Sequence, residues 1–534
     1  MLRCLSTSFI LLLTLAELVS SDGLSPERLR EARREPQNWL TYSGQYSGWR
    51  HTELKQIRTD NVRRLAAQWI FQFKGIAHKF EATPLVVDGI MYFPALDNRV
   101  FAIDARTGRQ FWEYRRSLPE KMPVCCGTVS RGVAALGDRI FLATVDGHVV
   151  ALDSKTGNLL WDAEAGDVKD GHSFTLAPLV VNDKVVVGVS GGEFGLRGYI
   201  DAYQADTGKR AWRFYTIPGP GEAGHETWEG DSWKHGGAPA WLTGTYDPDS
   251  NLIYWGTGNP APDFYGDERE GDNLYSNSVV ALEPDNGKLK WHFQFTPHDV
   301  NDYDATQIPV LLDLDWKGKP RKLLATANRN GFFYLLDRTN GEFLLAKQLL
   351  NTTWANGIDR NGRPIINTDN IPDEKGKVVC PGLYGATNWM SPSYSPVTRL
   401  FYVVLRQECF IHVSKPQHYE PGKSLWGGSN QEAPGMPRYG AVRALDPLTG
   451  ESKWEFKLHS TSWGGTLSTA GGLLFVASEE GYLIALDALT GEELWHFRTG
   501  GGIYASPMSF AVDGRQYIVI PCQNALIAFA LPEA

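Results

Sequence analysis

The stretch ALDSKTGNLLW, from Ala151 to Trp161, decides the fold. Thr156-Gly157 makes a turn, because glycine reaches positive φ without steric cost. A β-rich run leads into each such unit, as Arg99-Val-Phe-Ala-Ile does for the copy at Ala102, and a returning strand ends on the tryptophan. One unit is therefore one hairpin. The pattern A-x-D-x-x-T-G-x-x-x-W recurs at Ala102–Trp112, at Ala202–Trp212 with Gln204 for Asp, and at Ala281–Trp291 with Glu283 and Asn286 as variants. Leu335–Gly341 is a degenerate copy without the tryptophan, and Ala444–Trp454 and Ala485–Trp495 complete seven copies. A small sheet cannot bury its faces alone. Stacked radially, such sheets make a β-propeller with the tryptophans between blades. The expectation is an all-β, eight-bladed β-propeller with tryptophan-docking repeats, about 64 residues to a blade. Both chain ends should close the eighth blade: Leu65–Trp69 with Gln516–Ile520 and Ala525–Phe529. Spacing widens between Trp212 and Trp291 and again after Asp337, which marks insertions, expected on the functional face. One short helix is expected at Pro26–Arg34, capped by Ser25 with Pro26 at its first position.

Composition agrees with this reading. The 534 residues include 55 Gly and 18 Trp, which argues against a coiled coil, a helical bundle or a disordered chain. The net charge is −9 without a basic stripe, so no nucleic-acid partner is expected. Near the start, Arg3 precedes the apolar run Phe9–Ala16 and the small residues Val19-Ser20-Ser21. That is the pattern of a secretory signal peptide over 1–21, cleaved near Ser21/Asp22. An uncleaved anchor is the alternative, but the run is short for a bilayer span. Residues 22–534 are then one propeller domain, exported to the periplasm without stable membrane insertion.

Cysteine and polar residues carry the chemistry. Cys125 and Cys126 are adjacent. They either close a strained eight-membered ring, of the kind that survives at functional sites, or remain two free thiols. Cys380 and Cys409 can pair and leave Cys522 odd; spacing alone leaves this open. Cys4 falls within the signal segment. No C-x-x-C-H occurs, so this sequence has no c-type haem attachment. Gly219–Gly224 matches G-x-G-x-x-G but opens no helix, so it is not read as a dinucleotide site.

A dispersed polar set falls where blades would open onto the central axis. Glu193, Asn259, Asp302 and Asp304 offer only oxygen ligands, which suits a hard cation. Arg131 and Arg329 suit the carboxylates of a small anionic ligand. Trp241 offers a flat apolar platform. An extended Asp302-Tyr-Asp304 segment would put both carboxylates on one face, where they repel unless a cation lies between them. With Glu193 they bring three negative charges, a closer balance for a trivalent than a divalent ion. The alternative is that Asp304 faces solvent or pairs with a Lys or Arg. Each residue alone is more often a plain turn residue; the joint pattern shifts the reading.

Together these segments resemble the pyrroloquinoline quinone (PQQ)-dependent alcohol dehydrogenases, the methanol and ethanol dehydrogenase large-subunit family. The resemblance runs from Trp39-Leu-Thr-Tyr-Ser-Gly to the last tryptophan repeat. It is carried by the Cys125-Cys126 pair with Arg131, the Ser190-Gly-Gly-Glu193-Phe-Gly run and Gly256-Thr-Gly-Asn259-Pro-Ala-Pro. It implies an eight-bladed propeller with the quinone buried on its axis, between Trp241 and a Cys125–Cys126 disulfide. It implies that Glu81, Arg131, Thr175, Ser190, Asn388 and Trp463 bind the quinone edge. Glu193, Asn259 and Asp302 would hold the metal, with Asp302 as catalytic base and Arg329 beside the reactive carbonyl. Cys380 and Cys409 match a family disulfide. Asp304 resembles the lanthanide-type members, so a lanthanide ion is expected, with calcium as the alternative. Val300-Asn301 stands where methanol dehydrogenases usually carry Glu-Trp, which casts doubt on methanol and admits a larger alcohol. The implied activity is oxidation of a primary alcohol to an aldehyde, with electrons passed to a separate c-type cytochrome. A sugar or polyol dehydrogenase and a non-catalytic propeller scaffold are the competing readings. A homodimer is compatible with either.

Overall fold

The computed structural model describes residues 23–75 and 79–533. The segment expected to be a signal peptide, 1–21 with Cys4, lies outside them. Among the described residues, seven sheets of four strands and one of five follow one another around the chain, with two smaller sheets in the insertions. The four-stranded sheets are antiparallel, for example Ala134–Leu136, Arg139–Ala143, His148–Asp153 and Leu159–Glu164, and the five-stranded sheet adds His51–Thr52 in parallel to Thr466–Thr469. Val149, Val150, Ala151 and Leu152 are all fully buried, because both faces of the sheet are covered. The outer strand, Leu159–Glu164, alternates between half-buried and exposed positions.

The repeat sets how sheets join. Ala151 lies opposite Trp161 across one hairpin. At the turn before it, Gly157 has φ +73°, and a Cβ there would stand 2.6 Å from the indole of Trp112 in the preceding sheet. Only hydrogen fits that space. The Trp112 Nε1–H donates to the Ser154 carbonyl at 3.0 Å, so the indole is packed and its polar edge satisfied. The same contact joins Trp161 to Gly208, Trp212 to Gly287, Trp291 to Gly341 and Trp454 to Gly491. In the degenerate copy Leu345 stands opposite Leu335, and the next turn, at Gly450, rests on the stem of Lys347. Trp495 meets Phe529 edge-on, and Trp69 packs on Gly108 of the first sheet, so the contacts close a ring.

That closure uses both chain ends, as expected: Ala66–Gln72 pairs with Ala525–Ala530, which pairs with Arg515–Cys522. The expected helix divides in two. Pro26–Arg30 is α-helical with Ser25 Oγ accepting from Arg28 N–H at 3.3 Å, and Ala32–Arg34 is a 3₁₀ turn. The insertions fold over one another: the Phe264 N–H donates to the Trp426 carbonyl at 2.9 Å. No described helix is long and apolar enough to cross a membrane.

Candidate functional site

Two polar networks meet at Trp241. In the first, Arg131 Nη2 lies 2.6 Å from Glu81 Oε2, and Nη1 donates to Thr175 Oγ1 at 2.8 Å. Thr175 Oγ1 is 3.1 Å from Ser190 Oγ. Glu81, Arg131, Thr175 and Ser190 are all buried, so four residues expected to share one ligand edge do come together. Burial pushes the Glu81 carboxyl up, and the Arg131 charge opposes that. The Arg131 guanidinium sits 4.8 Å from the Trp241 ring centre and 5.5 Å from that of Trp389. Trp389 stacks flat on Trp463 at 4.2 Å. Trp389, which has no place among the sequence expectations, ties Trp463 to the Arg131 network. Asn388 donates to the Tyr384 carbonyl at 3.1 Å and leaves a buried Oδ1 without a partner among the described residues.

In the second network the Trp241 Nε1–H donates to Asp304 Oδ2 at 2.9 Å. The same oxygen takes Arg329 Nη1 at 2.5 Å, and Arg329 Nη2 lies 3.1 Å from Asp302 Oδ2. Asp304 Oδ1 accepts the Asn259 N–H at 2.9 Å. Gly258 makes this approach possible: a Cβ there would overlap Asp304 Oδ1 and the Pro239 ring. The alternative weighed from the sequence, that Asp304 pairs with an arginine, is therefore present in the structure. The expected extended segment is not: Asp302 has φ +61°, in the left-handed region. The cause is Asp299, whose carboxylate accepts the N–H groups of Asn301 at 2.9 Å and Tyr303 at 2.6 Å and bends the chain into a turn. Tyr303 points away and donates to the Pro381 carbonyl at 2.5 Å. Asp302 and Asp304 still reach the same guanidinium, by this turn rather than by strand alternation.

Glu193 and Asp263 complete the constellation. Glu193 Oε2 and Asp263 Oδ2 are buried without hydrogen-bond partners among the described residues. Burial, reinforced by the Asp304 charge, pushes the Glu193 carboxyl up to about 7. Asp302 and Asp263 are held well above the carboxylate range, first by burial; Glu193 and Asp304 add repulsion to both. Asp302 and Asp304 hold the buried Arg329 guanidinium charged against desolvation. No three His, Cys, Asp or Glu side chains among the described residues already stand as a closed metal cage. The unsatisfied oxygens and the all-oxygen donor set nevertheless fit a hard cation. Asp263 was missed in the sequence. It follows Asn259-Pro-Ala-Pro directly, and its position after that motif was the available signal.

Cys125 and Cys126 are joined to each other, as are Cys380 and Cys409, while Cys522 is a buried free thiol. Cys125 is half-buried and Cys126 exposed, with Cys126 at φ +68°. Its loop is anchored by Thr128 Oγ1, which donates to Asp97 Oδ1 at 2.6 Å. Gly219–Gly224 lies in turns leading to a short 3₁₀ segment, with no helix for a dinucleotide.

The chain matches the family described as glucose/ethanol/alcohol dehydrogenase, β-propeller domain (PQQ), over residues 39–348 and 438–518. It is 40% identical over 525 residues to a quinoprotein alcohol dehydrogenase of Pseudomonas putida, covering 93% of this chain and 88% of that protein. It is 36% identical over 531 residues to a lanthanide-dependent methanol dehydrogenase of Methylacidiphilum fumariolicum, covering 92% and 86%. Among solved structures, a europium-containing methanol dehydrogenase superposes with a TM-score of 0.90 at 33% identity, covering 95% of this chain and all of that one.

Proposed function

The chain belongs to the family of PQQ-dependent alcohol dehydrogenases, and from that premise we propose that it oxidises a primary alcohol to an aldehyde in the periplasm. The observation that carries the site assignment is the joining of two networks through Trp241, one edge-binding and one anionic. When bound, the metal would supply Lewis acidity and the quinone the two-electron oxidising capacity for the reaction. Glu81, Arg131, Thr175 and Ser190 bind the polar edge of the quinone, with Asn388 and Trp463 on the same rim. Trp241 offers one face, and the Cys125–Cys126 ring is the candidate for the other. Glu193, Asn259, Asp302 and Asp304 would hold the metal. Asp302 takes the hydroxyl proton of the alcohol as general base. Arg329, 3.1 Å from Asp302, fixes that carboxylate in place. Electrons leave to a separate c-type cytochrome. Residues 22–534 form one eight-bladed domain preceded by a signal peptide.

The metal is proposed to be a lanthanide. Asp304 adds a third carboxylate to Glu193 and Asp302, and a lanthanide-dependent methanol dehydrogenase is among the relatives. The test is reconstitution of the apo-protein with PQQ and single metals, with a dye as electron acceptor. Lanthanum or cerium should activate strongly and calcium weakly, and Asp304→Ala should abolish the lanthanide response. Full activity with calcium alone, unchanged in Asp304→Ala, refutes the lanthanide assignment. Activity with NAD and no PQQ refutes the enzyme class.

A further inference from the structure

Resting on the metal-site reading above, we propose that Asp263 is a fourth carboxylate of the cation site. It restores the negative charge that Arg329 cancels and turns the Asn259 amide oxygen toward the ion.

The argument begins with Asn259. Its Nδ2 donates to Asp263 Oδ1 at 2.9 Å and to the Pro260 carbonyl at 3.2 Å. An ionised carboxylate can only accept, so it dictates which end of the amide faces it. With both amide hydrogens taken, the oxygen is the end left for a cation. Asp263 is only 1% exposed, and its second oxygen, Oδ2, has no hydrogen-bond partner among the described residues. A buried carboxylate oxygen without a donor is costly unless a positive charge answers it. Its backbone is held in place. Arg269, fully buried, donates to the Pro262 carbonyl at 3.0 Å and to the Asp299 carbonyl at 2.5 Å. One guanidinium thus clamps the loop bearing Asp263 to the loop bearing Asp302.

Charge then decides the role. Glu193, Asp302 and Asp304 supply three negative charges, but Arg329 touches two of these carboxylates and removes one. Asp263 brings the cluster back to a net three. A trivalent ion gains most from that fourth carboxylate, because the attraction scales with ionic charge.

The test is a terbium titration of the full-length protein without quinone, read by lanthanide luminescence, with calcium titrated in competition. Asp263→Asn keeps an acceptor for the Asn259 amide and removes the charge; Asp263→Ala removes both. Asp263→Asn should weaken terbium by about 10–100-fold and calcium by less, with Asp263→Ala weaker still. Wild-type terbium affinity in both variants overturns the role of Asp263. Failure of the wild type itself to bind terbium overturns the metal-site reading instead, and with it this inference.

Discussion

Gly258→Ala places one methyl group against the carboxylate that links the two networks. The new Cβ would sit about 1 Å inside ordinary contact with Asp304 Oδ1 and would also crowd the Pro239 ring. The backbone cannot easily yield, since the Gly258 N–H is bonded to the Pro239 carbonyl at 2.5 Å. Asp304 must move instead. A shift of about 1 Å stretches the 2.9 Å bond from Asn259 N–H beyond hydrogen-bonding range. Losing one bond to a charged group costs about 1.5–3 kcal/mol. That is about 10–150-fold in an equilibrium that reads the position of Asp304. The same loss lowers the melting temperature of a chain this size by only about 2–3 °C, because its unfolding entropy is large. The assay measures half-maximal metal activation in the PQQ-loaded enzyme beside a thermal melt. A rise in the metal requirement with a small melting shift is expected. An unchanged metal requirement in a folded variant refutes the coupling of Gly258 to Asp304.

Three further outcomes follow from the fold. Gly157→Ala and Gly514→Ala share a left-handed backbone at φ +73° and +74°, but only the first meets an indole; Gly514 faces open space. Gly157→Ala should therefore destabilise by about 1–3 kcal/mol more in chemical denaturation, and equal losses exclude Trp112 docking as the cause. Burial holds the His412 imidazole far below its usual 6.5, at about 3. The unfolded chain binds that proton first, so stability falls as pH drops from 6.5 toward 3; His412→Leu should flatten this slope, and an unaltered slope contradicts the assignment. Selective reduction of Cys125–Cys126 should lower activity more than stability, because so short a loop constrains the unfolded chain little. Peptide mapping of active, non-reduced enzyme should recover the two cysteines joined, and two separately alkylated thiols contradict the ring.

The ring of sheets was legible because docking is a nearest-neighbour event. Trp112 and Gly157 come from consecutive repeats and satisfy each other across one sheet-to-sheet step, so the recurrence of the motif carries the contact. The site was legible only where a motif is local. Asn259 and Gly258 sit in one short run, and Glu193 in another. Asp263 was legible only as the residue after Asn259-Pro-Ala-Pro; the Glu193 carboxylate that repels it comes from a distant loop with no periodicity to relate them. The turn at Asp302 was hidden for a similar reason, since it depends on the side chain of Asp299 folding back onto its own backbone. Trp389 was passed over because its stacking partner, Trp463, lies in a loop remote in sequence.

The pairing of Ala66–Gln72 with Ala525–Ala530 has a consequence for how the molecule comes to exist. The strand that Trp69 belongs to has no sheet until Ala525–Ala530 has been synthesised. Until then the ring is an open arc whose first and last sheets each lack a neighbour, and every earlier intermediate exposes an unpaired edge. Closing it brings together the most distant parts of the chain, the slowest kind of contact to find. Deleting only the final strand should therefore destroy the whole ring rather than one blade. A ribosome-bound chain therefore cannot finish folding before Ala525–Ala530 has emerged.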